Sequence, residues 1–296
     1  ARASVFTIDM SSPTTTIAAP NKPYYKDLST LSGGSSDPNT YASGVKGVDI
    51  SIHDGAKYWN GTTWVTGSET YIAASTPTTT TWQYEINTST WTDSVTYYIK
   101  TKSYDVATNT QTVSTAYQFI CDRSSPTAYT TNPPDGTTGL EQLPTISGTC
   151  GDTNPGQINS VYIYVKCLTG DAGLVGKYWG KHGDETWEWG TVEDIWTSTS
   201  TPGLPTWTWA SNVAWQSTME QYEIAVKPID KAGNGDYQVD ICTFTIGPPA
   251  PVSSITNLQL NKYYSSLINI AGTTVNTTPS PGWQGVGIKR LSNEIQ

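Results

Sequence analysis

The stretch Tyr222-Glu-Ile-Ala-Val-Lys-Pro-Ile-Asp-Lys-Ala-Gly-Asn234 decides how this sequence folds. Its alternate residues Tyr222, Ile224 and Val226 point to one side, which is the two-residue period of a half-buried β-strand. Asn234 and Gly235 then supply turn chemistry, because both residues tolerate positive φ. An apolar, alternating segment follows the turn. The pattern therefore predicts a closing β-hairpin with a two-residue Asn-Gly turn.

The same hairpin pattern occurs earlier in the chain, displaced by a constant 125 positions. The matching pairs are Tyr97/Tyr222, Ile99/Ile224, Asp105/Asp230, Ala107/Ala232, Asn109/Asn234 and Phe119/Phe244. A closing hairpin that is repeated indicates that the whole domain is repeated.

The composition favours strands and turns and excludes several functional classes. Only 14% of the 296 residues are charged, while the chain holds 12 Trp and 18 Tyr. Large rings bury much area each, so thin sandwich cores are feasible. The net charge of −9 argues against nucleic-acid binding, which needs a basic surface. No apolar run reaches the roughly 18–20 residues of a membrane span.

The repeats predict a string of domains joined by short linkers that contain proline. We predict a tail or linker at residues 1–8, two domains at 9–121 and 122–246, and a partial third domain at 247–296. Each complete unit carries seven or eight short strand signals separated by turn signals. This is typical of all-β, immunoglobulin-like antiparallel β-sandwiches with Greek-key order. The last unit stops within a strand-like pattern, so we expect the chain to be part of something longer.

The repeats resemble the bacterial immunoglobulin-like tandem-repeat domains of large cell-surface and adhesin-type proteins. The residues that carry the resemblance are Asp9–Pro13, Asp122–Pro126, Ser147–Thr149, Tyr58–Gly61 and Asp230–Asn234. The first unit departs from the family pattern, because its counterpart of the last motif, Asp105–Asn109, has no glycine.

The resemblance implies a non-enzymatic, extracellular structural or adhesive segment, namely a rigid stalk or filament on a bacterial cell surface. Its expected partners are other copies of the same or neighbouring immunoglobulin-like units, and a host, matrix or cell-surface glycan. One alternative is a subunit of a homopolymeric fibre that is assembled by strand addition, because missing strands leave open sheet edges. A second alternative is a carbohydrate-binding module that uses exposed tryptophans.

The four cysteines suggest an oxidising compartment, and their spacing does not match a zinc site. In a sandwich whose chain enters at one end and leaves at the other, Cys121 and Cys150 fall near the first end. Cys167 and Cys242 fall nearer the other end. We therefore predict the disulfides Cys121–Cys150 and Cys167–Cys242, one of three connectivities that four cysteines allow. The alternative is four buried free thiols.

Calcium is the one cofactor that the acidic residues suggest. Asp9, Asp122, Asp152 and Asp230 fall at predicted joints and turns, and calcium takes oxygen ligands and stiffens linkers. The alternative is that Asp122 and Asp230 bond only the backbone of their own turns.

The densest group of carboxylates offers a second candidate site. It comprises Asp184, Glu185, Glu188, Glu193 and Asp194. The neighbouring Trp187, Trp189 and Trp196 could stack on sugar rings, and two carboxylates could flank a glycosidic bond. The alternative is a solvated loop whose tryptophans cover their own sheet.

Other catalytic chemistry lacks its residues in this sequence. The chain has only two histidines, His53 and His182, and no Gly-x-Ser-x-Gly nucleophile elbow. No phosphate-binding loop, dinucleotide fingerprint or EF-hand loop occurs either. The sequence therefore predicts a protein that is not an enzyme.

Overall fold

The structure, a computed structural model, describes residues 6–78, 80–182, 186–191, 196–203, 205–216, 220–235, 237–247, 252–258 and 269–275. No α-helix occurs in these ranges, and one 3₁₀ helix spans Thr88–Thr90. The strands of the first repeat are β1 (Thr14–Ala19), β2 (Tyr24–Tyr25), β3 (Thr30–Ser36), β4 (Val45–His53), β5 (Tyr58–Trp59), β6 (Trp64–Val65), β7 (Ile72–Ala73), β8 (Ser75–Thr78), β9 (Thr81–Glu85), β10 (Thr96–Asp105) and β11 (Tyr117–Cys121).

The second repeat has the same number of strands in the same order. They are β12 (Thr127–Asn132), β13 (Thr137–Leu140), β14 (Thr145–Gly151), β15 (Ile158–Cys167), β16 (Tyr178–His182), β17 (Thr186–Gly190), β18 (Thr197–Ser198), β19 (Ser200–Gly203), β20 (Thr206–Ala210), β21 (Glu220–Asp230) and β22 (Asp240–Ile246). Two further strands, β23 (Val252–Ile255) and β24 (Gly272–Val275), pair with each other.

Each repeat is a sandwich of two sheets with identical strand order. The first repeat has sheets β1-β3-β9-β8 and β2-β11-β10-β4-β5-β6, with β7 paired to β4. The second has β12-β14-β20-β19 and β13-β22-β21-β15-β16-β17, with β18 paired to β15. Neighbouring strands are antiparallel except at two places, where β2 runs parallel to β11 and β13 runs parallel to β22. The predicted fold class, tandem immunoglobulin-like β-sandwiches, is confirmed.

Sequence alternation sets which face of each central strand is buried. Every second residue of β10 is buried, including Tyr97 and Ile99, and the intervening residues are only half-buried. The equivalent strand β21 buries Tyr222, Ile224 and Val226 as predicted. The two-residue period therefore places one row of side chains in the core and leaves the other row on the outer face of the larger sheet.

Each sandwich has its own aromatic core. In the first, the rings of Trp91 and Tyr97 lie 4.7 Å apart with T-shaped geometry, and Phe119 stacks on Tyr97. In the second, Trp215 and Tyr222 make the corresponding contact at 4.9 Å. The buried residues form two separate clusters, one for each repeat. The two repeats are thus separate domains, each with its own hydrophobic core.

Small residues of β3 and β14 lie in crowded positions in both repeats. A Cβ atom on Gly148 of β14 would collide with the carbonyl oxygen of Tyr129 and with the indole of Trp207. Gly33 of β3 occupies the same position beneath Trp82. The tryptophan of one strand therefore lies flat on the glycine of its neighbour, and the absence of a side chain there is a packing requirement.

Both Asn-Gly turns lie in loops longer than two residues. In the first repeat the Trp59–Trp64 pair closes a four-residue loop, in which Asn60 accepts hydrogen bonds from Thr62 and Thr63. In the second repeat the last pair of the β21–β22 ladder joins Val226 to Asp240. The Asn234-Gly235 prediction of a two-residue hairpin is therefore wrong, because β21 continues beyond its partner and pairs with β15 instead.

The disulfide prediction is not supported either, since all four cysteines are free and buried. Cys121 packs in the core of the first sandwich and Cys150 in the core of the second, and the two are not bonded to each other. Cys167 and Cys242 lie on β15 and β22, which flank β21 on opposite sides. Strands two places apart are separated by about 9.5 Å, beyond the reach of a disulfide. Burial raises the pKa of Cys167 to about 11 and that of Cys242 to about 12.

Most of the predicted third unit, residues 247–296, lies outside the described residues. Its described part is the two-stranded sheet of β23 and β24 with short flanking segments. The described ranges contain no helix long and apolar enough to cross a membrane.

Candidate metal centre

The residue that joins the two sandwiches is Asp122. Its backbone N–H donates to the carbonyl oxygen of Tyr25 in the first sandwich, at 3.0 Å. Its own carbonyl oxygen accepts a 2.8 Å hydrogen bond from Asn234 Nδ2 in the second sandwich. Only 1% of its surface is exposed. Asp122 is therefore fixed from both sides at the joint.

Three carboxylates from distant parts of the chain meet there. Asp122 comes from the linker, Asp152 follows β14, and Asp230 ends β21. One oxygen from each lies within 4.8 Å of the others. Calcium binds oxygen at 2.3–2.6 Å, so ligands on opposite sides of one ion are roughly 4.6–5.2 Å apart. The spacing of the carboxylates suits a single calcium ion.

The hydrogen bonds of the cluster leave two carboxylate oxygens without a partner. Asp230 is well supplied, because the N–H groups of Gly233 and Asn234 donate to Oδ1 and Asn234 Nδ2 donates to Oδ2. By contrast, Oδ2 of Asp122 and Oδ2 of Asp152 are buried and accept no hydrogen bond within the described part of the chain. A buried, unpaired carboxylate oxygen is costly, and a cation bound among the three groups would relieve that cost.

Without a bound cation, the surroundings of the cluster disfavour the ionised form of its carboxyl groups. Burial, followed by the neighbouring carboxylates of Asp152 and Asp230, raises the pKa of Asp122 to about 6. Burial is also the main cause of a raised pKa at Asp152. A divalent cation would reverse this by favouring the ionised carboxylates.

Gly156 leaves room beside the two unpaired oxygens. A Cβ atom at this position would collide with Oδ2 of Asp152 and would lie 2.9 Å from Oδ2 of Asp122. The N–H of Gly156 donates to the carbonyl oxygen of Thr153 at 2.7 Å. A side chain here would occupy space beside the proposed ion.

The first repeat contains an equivalent cluster of Asp9, Asp37 and Asp105. Asn109 Nδ2 bridges the carbonyl oxygen of Asp9 and Oδ2 of Asp105, just as Asn234 does in the second repeat. Here, however, Ser11 and Ser43 donate to the carboxylate of Asp9. The hydrogen bond from the Ser11 side chain is the largest cause of a lowered pKa at Asp9. One described oxygen of this cluster, Oδ1 of Asp37, is buried without a hydrogen-bond partner, against two in the second cluster. The second cluster therefore offers a cation more unpaired oxygens.

An arginine next to the cluster connects the linker to the first sandwich. The guanidinium of Arg123 donates to the carbonyl oxygens of Trp91 and Thr88 at 2.7 and 2.8 Å. Its backbone N–H donates to Asp93 Oδ1 at 2.7 Å. Asp93 also contributes to the raised pKa of Asp122. The linker thus binds the first sandwich through Arg123 and the N–H of Asp122, and the second through the carbonyl oxygen of Asp122.

Of the four predicted calcium ligands, the structure brings Asp122, Asp152 and Asp230 together and places Asp9 in the other cluster. Sequence reasoning missed Asp37 and Asp105. The 125-residue repeat could have identified Asp105 from Asp230, and the position after the second strand could have identified Asp37 from Asp152. The alternative of purely local bonding describes Asp230 well, but it leaves one oxygen of Asp122 unexplained. Calcium binding remains a prediction.

The predicted sugar-stacking tryptophans do not share one surface. Trp187 and Trp189 pack against the second core, where Trp189 stacks on Tyr222 with centroids 5.7 Å apart. Trp196 lies on the outer face of the sheet, against Tyr164. The accompanying Glu188 is exposed. Four of the predicted carboxylates lie outside the described residues: Asp184, Glu185, Glu193 and Asp194.

Comparison with known proteins gives similarity of fold only. No protein-family model matches the chain, and no curated protein matches it. Among solved structures, it is similar to the FN1–FN3 domains of chicken CNTN1, with 10% identity over 80% of this chain and 68% of that chain, at a TM-score of 0.44. It is also similar to a tetra-tandem repeat from the extending region of a large adhesion protein, with 12% identity over 83% of this chain and 52% of that one, at a TM-score of 0.26. A third similar structure is Escherichia coli alpha-2-macroglobulin, with 11% identity over 90% of this chain and 16% of that one, at a TM-score of 0.29.

Proposed function

We propose that this chain is a non-enzymatic structural and adhesive segment: a rigid stalk or filament of immunoglobulin-like units on the outside of a bacterial cell. In this proposal calcium stiffens the joint between units. The observation that carries it is the buried, unpaired Oδ2 of Asp122 inside a carboxylate cluster at the joint. Its partners are neighbouring units of the same kind and a host, matrix or cell-surface glycan.

The geometry supports a mechanical role because the three carboxylates come from two structural parts, the linker and the second sandwich. Asp122 is in the linker, and Asp152 and Asp230 are in the second sandwich. Arg123, next in sequence to Asp122, holds the first sandwich. A cation bound to all three carboxylates would fix the linker against the second sandwich, and the Arg123 contacts would carry that constraint to the first.

The test is small-angle scattering and thermal unfolding of the intact chain, in calcium and in a calcium chelator. We expect calcium to narrow the range of distances between the two sandwiches and to raise the melting temperature. A ligand at a thousandfold excess over its Kd stabilises a fold by about 4 kcal/mol. Gly156→Ala should weaken the calcium effect strongly, because its methyl group would occupy space beside Asp122 and Asp152.

The matched control is Asp54→Asn, which removes one carboxylate from an exposed turn of the first repeat, where Asp54 Oδ1 accepts only local backbone hydrogen bonds. This variant should respond to calcium as the wild type does. If calcium changes neither scattering nor unfolding of the wild-type chain, the calcium joint is wrong. A joint that is rigid in the chelator would still be compatible with a stalk, whereas freely tumbling sandwiches in both conditions would contradict it.

A further inference from the structure

A cavity of about 380 Å³ opens on the outer face of the larger sheet of the first sandwich. His53 of β4, Tyr58 of β5 and Tyr98 of β10 contribute its aromatic lining, and Glu69 and Lys100 contribute its charged groups. All three rings are half-buried. The volume falls within the roughly 300–1,000 Å³ of small-molecule sites. This cavity shares no residue with the carboxylate cluster of Asp122, Asp152 and Asp230.

The second repeat shows what fills the equivalent space. Strand pairing sets Ser51 opposite Lys100 in the first repeat and Tyr164 opposite Ala225 in the second. Lys100 and Ala225 are 125 positions apart, so Tyr164 is the counterpart of Ser51.

The ring of Tyr164 packs 5.2 Å from that of Tyr178, the counterpart of Tyr58, and 4.9 Å from Trp196. Its hydroxyl donates to Glu223 at 2.7 Å. In the first repeat Ser51 is small and lines the cavity. The first sandwich therefore has an open slot where the second holds a six-membered ring with a hydroxyl at its edge.

The groups around this slot are arranged for a ligand with several hydroxyl groups. The imidazole of His53 stacks on Tyr58, with centroids 4.4 Å apart. The N–H of Gly55 donates to Nδ1 of His53 at 3.3 Å, so the proton of the neutral imidazole lies on Nε2, which is then a donor. Lys100 Nζ and Glu69 Oε1 form an ion pair at 3.0 Å, with both side chains partly exposed. The pair presents a donor beside an acceptor, which matches two adjacent hydroxyls that each donate and accept.

We infer that this cavity binds one pyranose ring of a neutral saccharide. The ring's C–H face would lie on the aromatic side chains, and its hydroxyls would bond Glu69, Lys100 and His53 Nε2. A tyrosine side chain of a protein ligand would fill the slot equally well, but its single hydroxyl cannot serve all three polar groups. The number of polar groups thus favours a sugar over an aromatic peptide.

The test is saturation-transfer NMR on the full chain with methyl glycosides of glucose, galactose, mannose and N-acetylglucosamine, and with N-acetyltyrosine amide as the competing probe. We expect at least one glycoside to receive saturation and to shift the His53 ring signals. Ser51→Tyr places in the slot the residue that the second repeat carries there, and should abolish binding. Glu69→Gln keeps the side-chain volume and should weaken binding about tenfold, as expected for loss of one charge-assisted hydrogen bond.

The matched control is Lys102→Gln. Lys102 lies two residues beyond Lys100 on the same face of β10, where it pairs with Asp49 and covers Tyr71 outside the cavity. The Lys102→Gln variant should bind the glycoside like the wild type. Thermal unfolding identifies any variant that fails to fold. If Ser51→Tyr fails to fold, the binding measured for Glu69→Gln tests the inference.

The inference is overturned if no glycoside binds, if binding survives Ser51→Tyr in a folded protein, or if only N-acetyltyrosine amide binds. None of these results bears on the calcium joint.

Discussion

Asp122 carries a charge that its surroundings oppose in the absence of a cation. It is almost fully buried, one of its oxygens is unpaired, and two other carboxylates face it. These conditions raise its pKa to about 6 from an ordinary value of 3.8. The sequence could predict that Asp122 and Asp230 lie at joints, because the repeat places them beside linkers and turns. It could not predict that they meet, since Asp152 and Asp230 are brought to the linker only by the sandwich.

The pH dependence of stability follows from that raised pKa. Between about pH 4 and pH 6 the folded, calcium-free chain holds a proton at Asp122 that the unfolded chain has lost. This contribution to stability is full below about pH 4 and is lost as the pH rises through about 6. We therefore expect the contribution of Asp122 to the free energy of unfolding, measured with urea in chelator, to be smaller at pH 7.5 than at pH 5. We also expect calcium to stabilise the chain more at pH 7.5 than at pH 5.

Asp122→Asn imitates the protonated carboxyl and should remove most of this pH dependence. It should also weaken the response to calcium. The interpretation would be contradicted if the wild type and Asp122→Asn lost stability in parallel between the two pH values.

Among the elements, the central strands were the most predictable and the turns the least. Alternation in β4, β15 and β21 identifies the buried face, because a one-residue shift would expose every core side chain. The turn at Asn234 failed as a prediction because the Asn234 side chain makes tertiary contacts, in which it bridges Asp122 and Asp230. The disulfide prediction failed for a similar reason. Which strands are neighbours follows from the order of strands in the sheet and not from position along the chain.

The contact of a tryptophan with a glycine on the adjacent strand gives a prediction for β14. Gly148→Ala should lower the free energy of unfolding by about 1–3 kcal/mol, because the methyl group would force Trp207 and the Tyr129 backbone to move. The measurement is urea unfolding of the chain, followed by tryptophan fluorescence.

Gly151→Ala on the same strand is the control, since its Cβ would meet only Thr127 at ordinary contact distance. Its effect should stay within about 0.5 kcal/mol. Equal losses in the two variants would mean that the close contact beneath Trp207 is not what requires glycine at position 148.

At the scale of the whole molecule, the repeats were predictable and the contacts at their joint were only partly so. The proline-containing linker at Pro126 indicates a short connection. The sequence gives no sign that Arg123 reaches back to Trp91 and Thr88, because that contact depends on how the linker crosses the end of the first sandwich. Met10 occupies the matching position in the first repeat and is 85% exposed.

Arg123→Ala should loosen the joint without unfolding either core. Loss of two charge-assisted hydrogen bonds should lower the stability of the first sandwich by about 1–3 kcal/mol and broaden the distance distribution in small-angle scattering, measured in chelator. Lys57→Ala removes a positive charge from an exposed turn and should change neither. An unchanged distribution for Arg123→Ala would show that these contacts do not hold the two sandwiches in place.

The parallel pairing of an early strand with the last strand of each repeat bears on how the molecule would respond to tension. Strand β2 lies beside β11 and β13 beside β22, with hydrogen bonds such as Ile120 N–H to Pro23 and Gly247 N–H to Leu140. A pull on the two ends of a unit drags these neighbours in opposite directions along their length. The bonds between them are then loaded in shear and must break together, whereas an antiparallel hairpin pulled open at its ends would unzip one bond at a time.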